Sequence, residues 1–205
     1  MKTTAIFWDL GGVLLSNGWD REQRAAAVER FALDADELED RHREKASSLE
    51  TGRCSLDEYL RAVVFHAPRP FTAVQFREFI LAQSVAFPGN LEVVDALAAG
   101  GRYLLATLNN ESRELNEYRI ARFGLRRRFT SFFSSSFLGW MKPDPQIYRA
   151  ALEISQRAPG ETVYVDDRAQ NLEPARALGM RVLHFQGGEG PEALRRGLRD
   201  LGVET

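Results

Sequence analysis

The sequence predicts an α/β protein, with a Rossmann-like parallel sheet core and an inserted small helical subdomain. Three observations carry this prediction. Short apolar runs recur along the chain and end at acidic or hydroxyl residues, as strands buried on both faces do. From residue 88 onward these runs alternate with helical stretches, an order that gives a parallel sheet with right-handed crossovers. Between residues 16 and 87 the alternation stops and only helical patterns remain. The expected division is therefore 1–15 plus 88–205 for the core and 16–87 for a helical cap.

The first strand is expected over residues 4–8, ending at Asp9 just before Gly11-Gly12. Helices over 25–31, 38–49, 56–65 and 74–87 make up the insert, and Ser55 with Glu58 has the spacing of a capping box for the third. Pro88-Gly89 marks the return to the core. Asn90 is expected to cap a helix over 91–99, which Gly100-Gly101 ends. The second strand, 103–106, ends at Thr107, and the third, 129–133, runs into Ser134, Ser135 and Ser136. Asp144-Pro145 starts a helix over 145–155. The fourth strand, 162–165, ends at Asp166-Asp167; a helix over 172–178 ends at Gly179; the fifth strand covers 181–185.

A chain of 205 residues with 44% apolar residues can bury a full core. Its net charge of -2 gives no global attraction to nucleic acid or membrane, and no stretch approaches the length of a membrane span. Arg126-Arg127-Arg128 reads as a solvated helix end. The single cysteine, Cys54, forms no internal disulfide and reads as an inert thiol, as a reducing cytosol allows. The first apolar run is too short for a signal peptide and is broken by Asp9, so a cytoplasmic location is expected.

Ligands of open α/β sheets sit at the carboxyl ends of the strands. Asp9, Thr107, Asp166 and Asp167 then meet in one crevice, and Lys142 reaches it from a loop. A carboxylate facing two glycines suits a nucleophile that attacks phosphorus, and it equally suits a turn. Lys142 can place positive charge on phosphate oxygens, or lie on the surface. Thr107 can donate its hydroxyl or cap the next helix. Asp166 and Asp167 can face a helix N-terminus, or hold a cation that relieves their repulsion.

Four segments, in order, carry a resemblance. They are Ile6-Phe7-Trp8-Asp9-Leu10-Gly11-Gly12-Val13-Leu14, Leu104-Leu105-Ala106-Thr107-Leu108-Asn109-Asn110, Gly139-Trp140-Met141-Lys142-Pro143-Asp144-Pro145, and Val163-Tyr164-Val165-Asp166-Asp167-Arg168-Ala169-Gln170-Asn171. Together they span nearly the whole chain, and it resembles the haloacid dehalogenase superfamily of hydrolases with a helical cap of the first type. The resemblance implies a phosphatase acting on a small phosphorylated metabolite. Asp9 is then the nucleophile and forms an aspartyl-phosphate. It also implies a magnesium ion held by Asp9 and Asp167, by Asp166 directly or through water, and by the backbone carbonyl of Gly11. Lys142 and Thr107 would assist catalysis, with Thr107, Leu108, Asn109 and Lys142 around the phosphate.

Two departures from the family pattern shape the expectation. Phosphatases of the family carry a second Asp two residues after the nucleophile as acid and base, where this chain has Gly11. A better leaving group, such as the anomeric oxygen of a sugar 1-phosphate, would compensate. So would a cap residue or water supplying the proton, and a site that binds without useful turnover is the third alternative. A bacterial α-D-glucose-1-phosphate phosphatase of similar length shares the Asp-Leu-Gly start and the Asp-Asp…Asn fourth segment, which favours the first. In the second segment Leu108 separates Thr107 from Asn109, so Asn109 or Asn110 takes the usual asparagine contact. Specificity is expected from Asn17, Trp19, Asp20, His42 and Arg43. A 2-haloacid dehalogenase would tolerate Gly11 but has little use for Asp166-Asp167. A non-catalytic binding module has no need of Asp9, Lys142 and Asp167 together.

Overall fold

The computed structural model describes residues 2–205; Met1, the first residue of the expected core segment, lies outside them. Five parallel strands form one sheet: β1 (Ala5–Trp8), β2 (Leu104–Asn109), β3 (Ser131–Ser134), β4 (Thr162–Asp166) and β5 (Arg181–His184). Their order across the sheet is β3-β2-β1-β4-β5, so β1 is central. All four β1 side chains are buried, which explains a run without polar alternation.

The helices are α1 (Arg21–Phe31), α2 (Ala35–Glu50), α3 (Leu56–Val63), α4 (Ala73–Ala82), α5 (Pro88–Gly100), α6 (Arg113–Arg122), α7 (Ser135–Leu138), α8 (Pro145–Ser155), α9 (Ala169–Ala177) and α10 (Pro191–Asp200). One sheet face, with Ile6, Trp8 and Leu105, packs on Val94 of α5, Ile120 of α6 and Leu198 of α10. The other, with Phe7, Ala106 and Leu108, packs on Ile147 and Tyr148 of α8 and Leu172 of α9. The helices α1–α4 have an apolar cluster of their own, including Leu38, Leu49, Tyr59, Phe76 and Ile80, which Leu115 of α6 joins.

The termini of these helices follow from their sequence. Asp20 with Gln23, Ser55 with Glu58 and Thr72 with Gln75 form capping boxes for α1, α3 and α4. Asp144 caps α8 with Pro145 in its first turn. Asn90, however, is not a cap. Phe87 precedes a helix that opens with Pro88, and the buried Asn90 amide donates to the carbonyls of Val13 at 2.9 Å and Gly187 at 3.0 Å. It ties the loop after β1 to the loop after β5.

Several other boundaries shift from expectation, and two of them have a clear cause in the pairing of the chain. The helix expected over 74–87 ends at Ala82, because residues beyond it pair with the chain leaving β1. Leu15 bridges Ala86, Ser16 N–H donates to the Val85 carbonyl at 2.7 Å, and Ser16 Oγ donates to the Gln83 carbonyl at 2.7 Å. The second strand continues past Thr107 to Asn109, in register with β3 to the pair Asn109–Ser134. No described helix is long and apolar enough to cross a membrane.

Candidate active site

A cavity of about 350 Å³ lies at the carboxyl edge of the sheet, lined by core residues and by residues of α1, α2 and the segment before α1. Asp9 ends β1 and lines it. Its Oδ1 accepts from its neighbour Leu10 N–H at 2.8 Å and faces Lys142 Nζ at 3.1 Å, which leaves Oδ2 uncommitted. Lys142 Nζ also donates to Asp166 Oδ2 at 2.7 Å. Asp166 is fully buried and further accepts from Asn171 Nδ2, Arg168 N–H and the Tyr164 hydroxyl. The side chain of Asn110 clamps the backbone of Lys142 from both sides, accepting from its N–H at 2.8 Å and donating to its carbonyl at 2.9 Å.

The electrostatics are set by one lysine among three carboxylates. Burial pushes the Asp9 carboxyl up to about 7 against the pull of Lys142, with Asp166 and Asp167 adding to the rise. Burial acts on Asp166 in the same sense, but Lys142 and the hydrogen bonds hold its carboxyl below the ordinary range. Burial and the charge of Asp166 raise Asp167. Oxygens of Asp9, Asp166 and Asp167 lie within 4.8 Å of one another, and Asp167 Oδ1 is buried with no hydrogen-bond partner among the described residues. A hard divalent cation fits this donor set, since it supplies the missing positive charge and takes the unpaired oxygen. Gly11 lines the cavity, and among the described residues its carbonyl accepts no backbone hydrogen bond.

Several expected site residues lie elsewhere. Thr107 and Leu108 are fully buried inside β2, and neither they nor Asn109 line the cavity. Thr107 pairs in register with Trp8, so it sits one step below the sheet edge that Asp9 crowns. Asn109 donates instead to Asn116 of α6 at 3.0 Å. The residue of this segment that reaches the cavity is Asn110. Of the specificity candidates, Asn17, Trp19, Asp20 and His42 line the cavity, whereas Arg43 is exposed and pairs with Asp40. Arg24, Glu50, Glu111 and Arg168 also line it and were not expected from the sequence.

These wall residues are held by one another. Trp19 Nε1–H donates to the Tyr59 hydroxyl at 2.8 Å, which stands 2.8 Å from His42 Nδ1. Every group in that chain is satisfied when Tyr59 donates to a neutral His42, and burial does lower the imidazole to about 4. Arg24 binds Glu39 through two nitrogens, at 2.6 and 3.0 Å. Asp20 pairs with Arg168 at 2.6 Å, joining the start of α1 to the loop after β4.

The sequence model of the haloacid dehalogenase-like hydrolases matches residues 3–179, which include every residue of this cavity. The chain belongs to that family. A solved HAD family enzyme from Bacteroides thetaiotaomicron, in complex with magnesium and inorganic phosphate, superposes with a TM-score of 0.79 at 20% identity, covering 94% of this chain and 98% of that one. The D-ribitol-5-phosphate phosphatase of the same organism is 26% identical over 208 residues, 89% of this chain and 92% of that protein. The bovine haloacid dehalogenase-like hydrolase domain-containing protein 3 is 35% identical over 97 residues, 47% of this chain and 37% of that protein. The chain spans well under half the length of such mammalian relatives.

Proposed function

We propose that this haloacid dehalogenase-like hydrolase is a magnesium-dependent phosphatase of small polyhydroxylated phosphate esters, working through an aspartyl-phosphate on Asp9. The observation that carries the reading is the cluster itself: an uncommitted Asp9 oxygen, a buried lysine beside it, and two further carboxylates at the same sheet edge. The magnesium and phosphate of the solved relative, and the substrate of the D-ribitol-5-phosphate phosphatase, support it.

Asp9, Asp166, Asp167 and the Gly11 carbonyl would hold the magnesium, which when bound neutralises charge on the phosphoryl oxygens. Asp9 attacks phosphorus in line with the leaving oxygen. Lys142 orients Asp9 by its contact with Oδ1 and adds a fixed positive charge, while Asn110 keeps the lysine's backbone in place. The four helices within 16–87 act as a cap, and Trp19, His42, Asp20 and Asn17 give that cap hydroxyl-binding groups beside an aromatic ring. The sugar 1-phosphate expected from the sequence is one member of this substrate class.

Phosphate release from a panel of sugar, polyol and aryl phosphates tests the reading. Chelation by EDTA is expected to lower the rate by at least about 10²-fold, the several kcal/mol a cation contributes, with recovery on adding magnesium. Undiminished turnover in EDTA would refute the metal requirement. A variant probes the same donor set. Gly12 has a φ of +73°, and a Cβ there would lie 2.2 Å from Asp167 Oδ2. Gly12→Ala is expected to cost at least about 1–2 kcal/mol of stability from backbone alone and to displace Asp167. Magnesium should then raise the melting temperature of wild type but hardly that of the variant.

A further inference from the structure

The reaction needs a proton for the leaving oxygen, and Gly11 leaves the family's usual donor position without a carboxyl. The structure also fills the place such a side chain would take: a Cβ at Gly11 would lie 2.9 Å from Asn17 Oδ1 and 3.8 Å from Arg119 Nη1. A side-chain donor has to come from elsewhere in the cavity. Four carboxyl groups line it, those of Asp9, Asp20, Glu50 and Glu111. Asp9 is the nucleophile. Asp20 is bound to Arg168 and accepts from Arg21 N–H as a helix cap. Glu111 is bound to Arg119 at 3.1 Å and accepts from Ser112 N–H. Of the four, Glu50 alone has no side-chain hydrogen bond or ion pair among the described residues; Ser135 holds it by its backbone carbonyl.

That backbone bond explains how Glu50 is placed. It is the last residue of α2, and Ser135 Oγ at the β3–α7 corner donates to its carbonyl at 2.6 Å. Two residues on, Gly52 has a φ of +70° and lies so close to the core that a Cβ would stand 2.4 Å from the Ser136 carbonyl oxygen. The end of α2 is thus seated on the core, with Glu50 at the cavity wall.

We propose that Glu50 is the general acid and base of the reaction. The inference rests on the phosphatase reading above. As Asp9 bonds to phosphorus and the phosphorus–ester oxygen bond breaks, the Glu50 carboxyl gives its proton to the leaving oxygen, which departs as an alcohol. Water then attacks phosphorus, its proton passes to the Glu50 carboxylate, and the phosphorus–Asp9 bond breaks to release phosphate and restore both carboxyl groups. The surroundings suit the role. Burial, with the charges of Glu111 from the loop after β2 and Asp20 before α1, pushes Glu50 up to about 7. Arg168 after β4 and Lys142 before α8 oppose that rise.

Glu50→Gln keeps the side-chain shape and removes the proton. The folded-state carboxyl is raised, so its contribution to stability is present below about 4.5 and is lost as pH rises through about 7. The variant should therefore unfold at no lower urea concentration than wild type at pH 8. First-turnover and steady-state kinetics with magnesium test the role, using 4-nitrophenyl phosphate, whose leaving group needs no proton, and a simple alkyl phosphate. In the variant, the alkyl ester should slow about 10²–10⁴-fold already in the first turnover. The aryl ester should still give a burst of nitrophenol within about tenfold of the wild-type rate, followed by a slow steady state. The wild-type decline in alkyl phosphate kcat/KM above pH 7 should vanish in the variant. Equal first-turnover losses on both esters, or wild-type rates on the alkyl ester, overturn the assignment to Glu50 alone. A wild-type protein that releases phosphate from neither ester overturns the phosphatase reading and this role with it.

Discussion

Asp9→Asn is expected to stop turnover, by about 10⁴-fold or more, while leaving the fold intact. Asparagine copies the shape of the side chain and its contact with Leu10 N–H, but it is neutral and does not form the acyl phosphate. Lys142 keeps Asp166 as a partner, so no buried charge is stranded. The wild-type carboxyl is raised to about 7 in the absence of metal. Its contribution to stability is accordingly present below its ordinary value near 3.8 and lost as pH rises through about 7. In EDTA at pH 8 the variant should thus melt no lower than wild type. Saturation kinetics on the best substrate check the first part, and a variant within about tenfold of wild type would remove Asp9 from the mechanism.

Lys142→Ala is expected to damage both stability and rate. The ammonium lies 3.1 Å from Asp9 and 2.7 Å from Asp166, in a place where all three groups are shielded from water. Removing one member of a buried ionic cluster costs about 3–5 kcal/mol, because the remaining charges stay buried without compensation. Without the lysine both carboxyls are raised, so the deficit against wild type should be larger at pH 8 than at pH 6 in EDTA. Urea unfolding at the two pH values measures it, and a loss independent of pH would contradict the electrostatic account. Turnover should fall about 10²–10³-fold, as for loss of one fixed donor to a developing charge. Lys142→Arg should not restore it, since the planar fork is larger than the enclosed space an ammonium fills.

The parts of the fold that were legible in the sequence are those that local chemistry fixes. A buried strand has to be apolar on both faces, so β1 and β4 announce themselves, and the acid that follows each marks where the chain leaves the sheet. That is why Asp9, Asp166 and Asp167 could be placed at one edge. Thr107 looked like such an end and is not one. It is β-branched and fits a strand, Leu108 continues the apolar face, and the true end depends on where β3 stops pairing, which no local pattern states. Asn90 misled for a similar reason: its side chain has a cap's chemistry, but two carbonyls more distant in sequence claim it.

The wall of the cavity was less legible. Adjacent residues of α2 point about 100° apart, so His42 and Arg43 have different fates although either could have faced inward. The inward face follows from Leu38 and Leu49 packing into the apolar cluster of the insert and from the seat of the end of α2 on Ser135, a contact between residues 85 apart in the chain. Glu50 carries no mark of it in its own neighbourhood.

The two crossings between the helical block and the sheet run side by side, joined at Leu15 and Ala86 and gripped together by one guanidinium, Arg119, through the Ser16 carbonyl and the Ser84 hydroxyl. Entry and exit are therefore neighbours, and the sheet meets the insert as it would a tight turn. Whatever spans the gap can grow, shrink or be exchanged without moving a strand, at an entropic cost that rises only with the logarithm of its length. The seat of α2 on Ser135, which holds Glu50 at the cavity wall, is the contact such an exchange would have to keep.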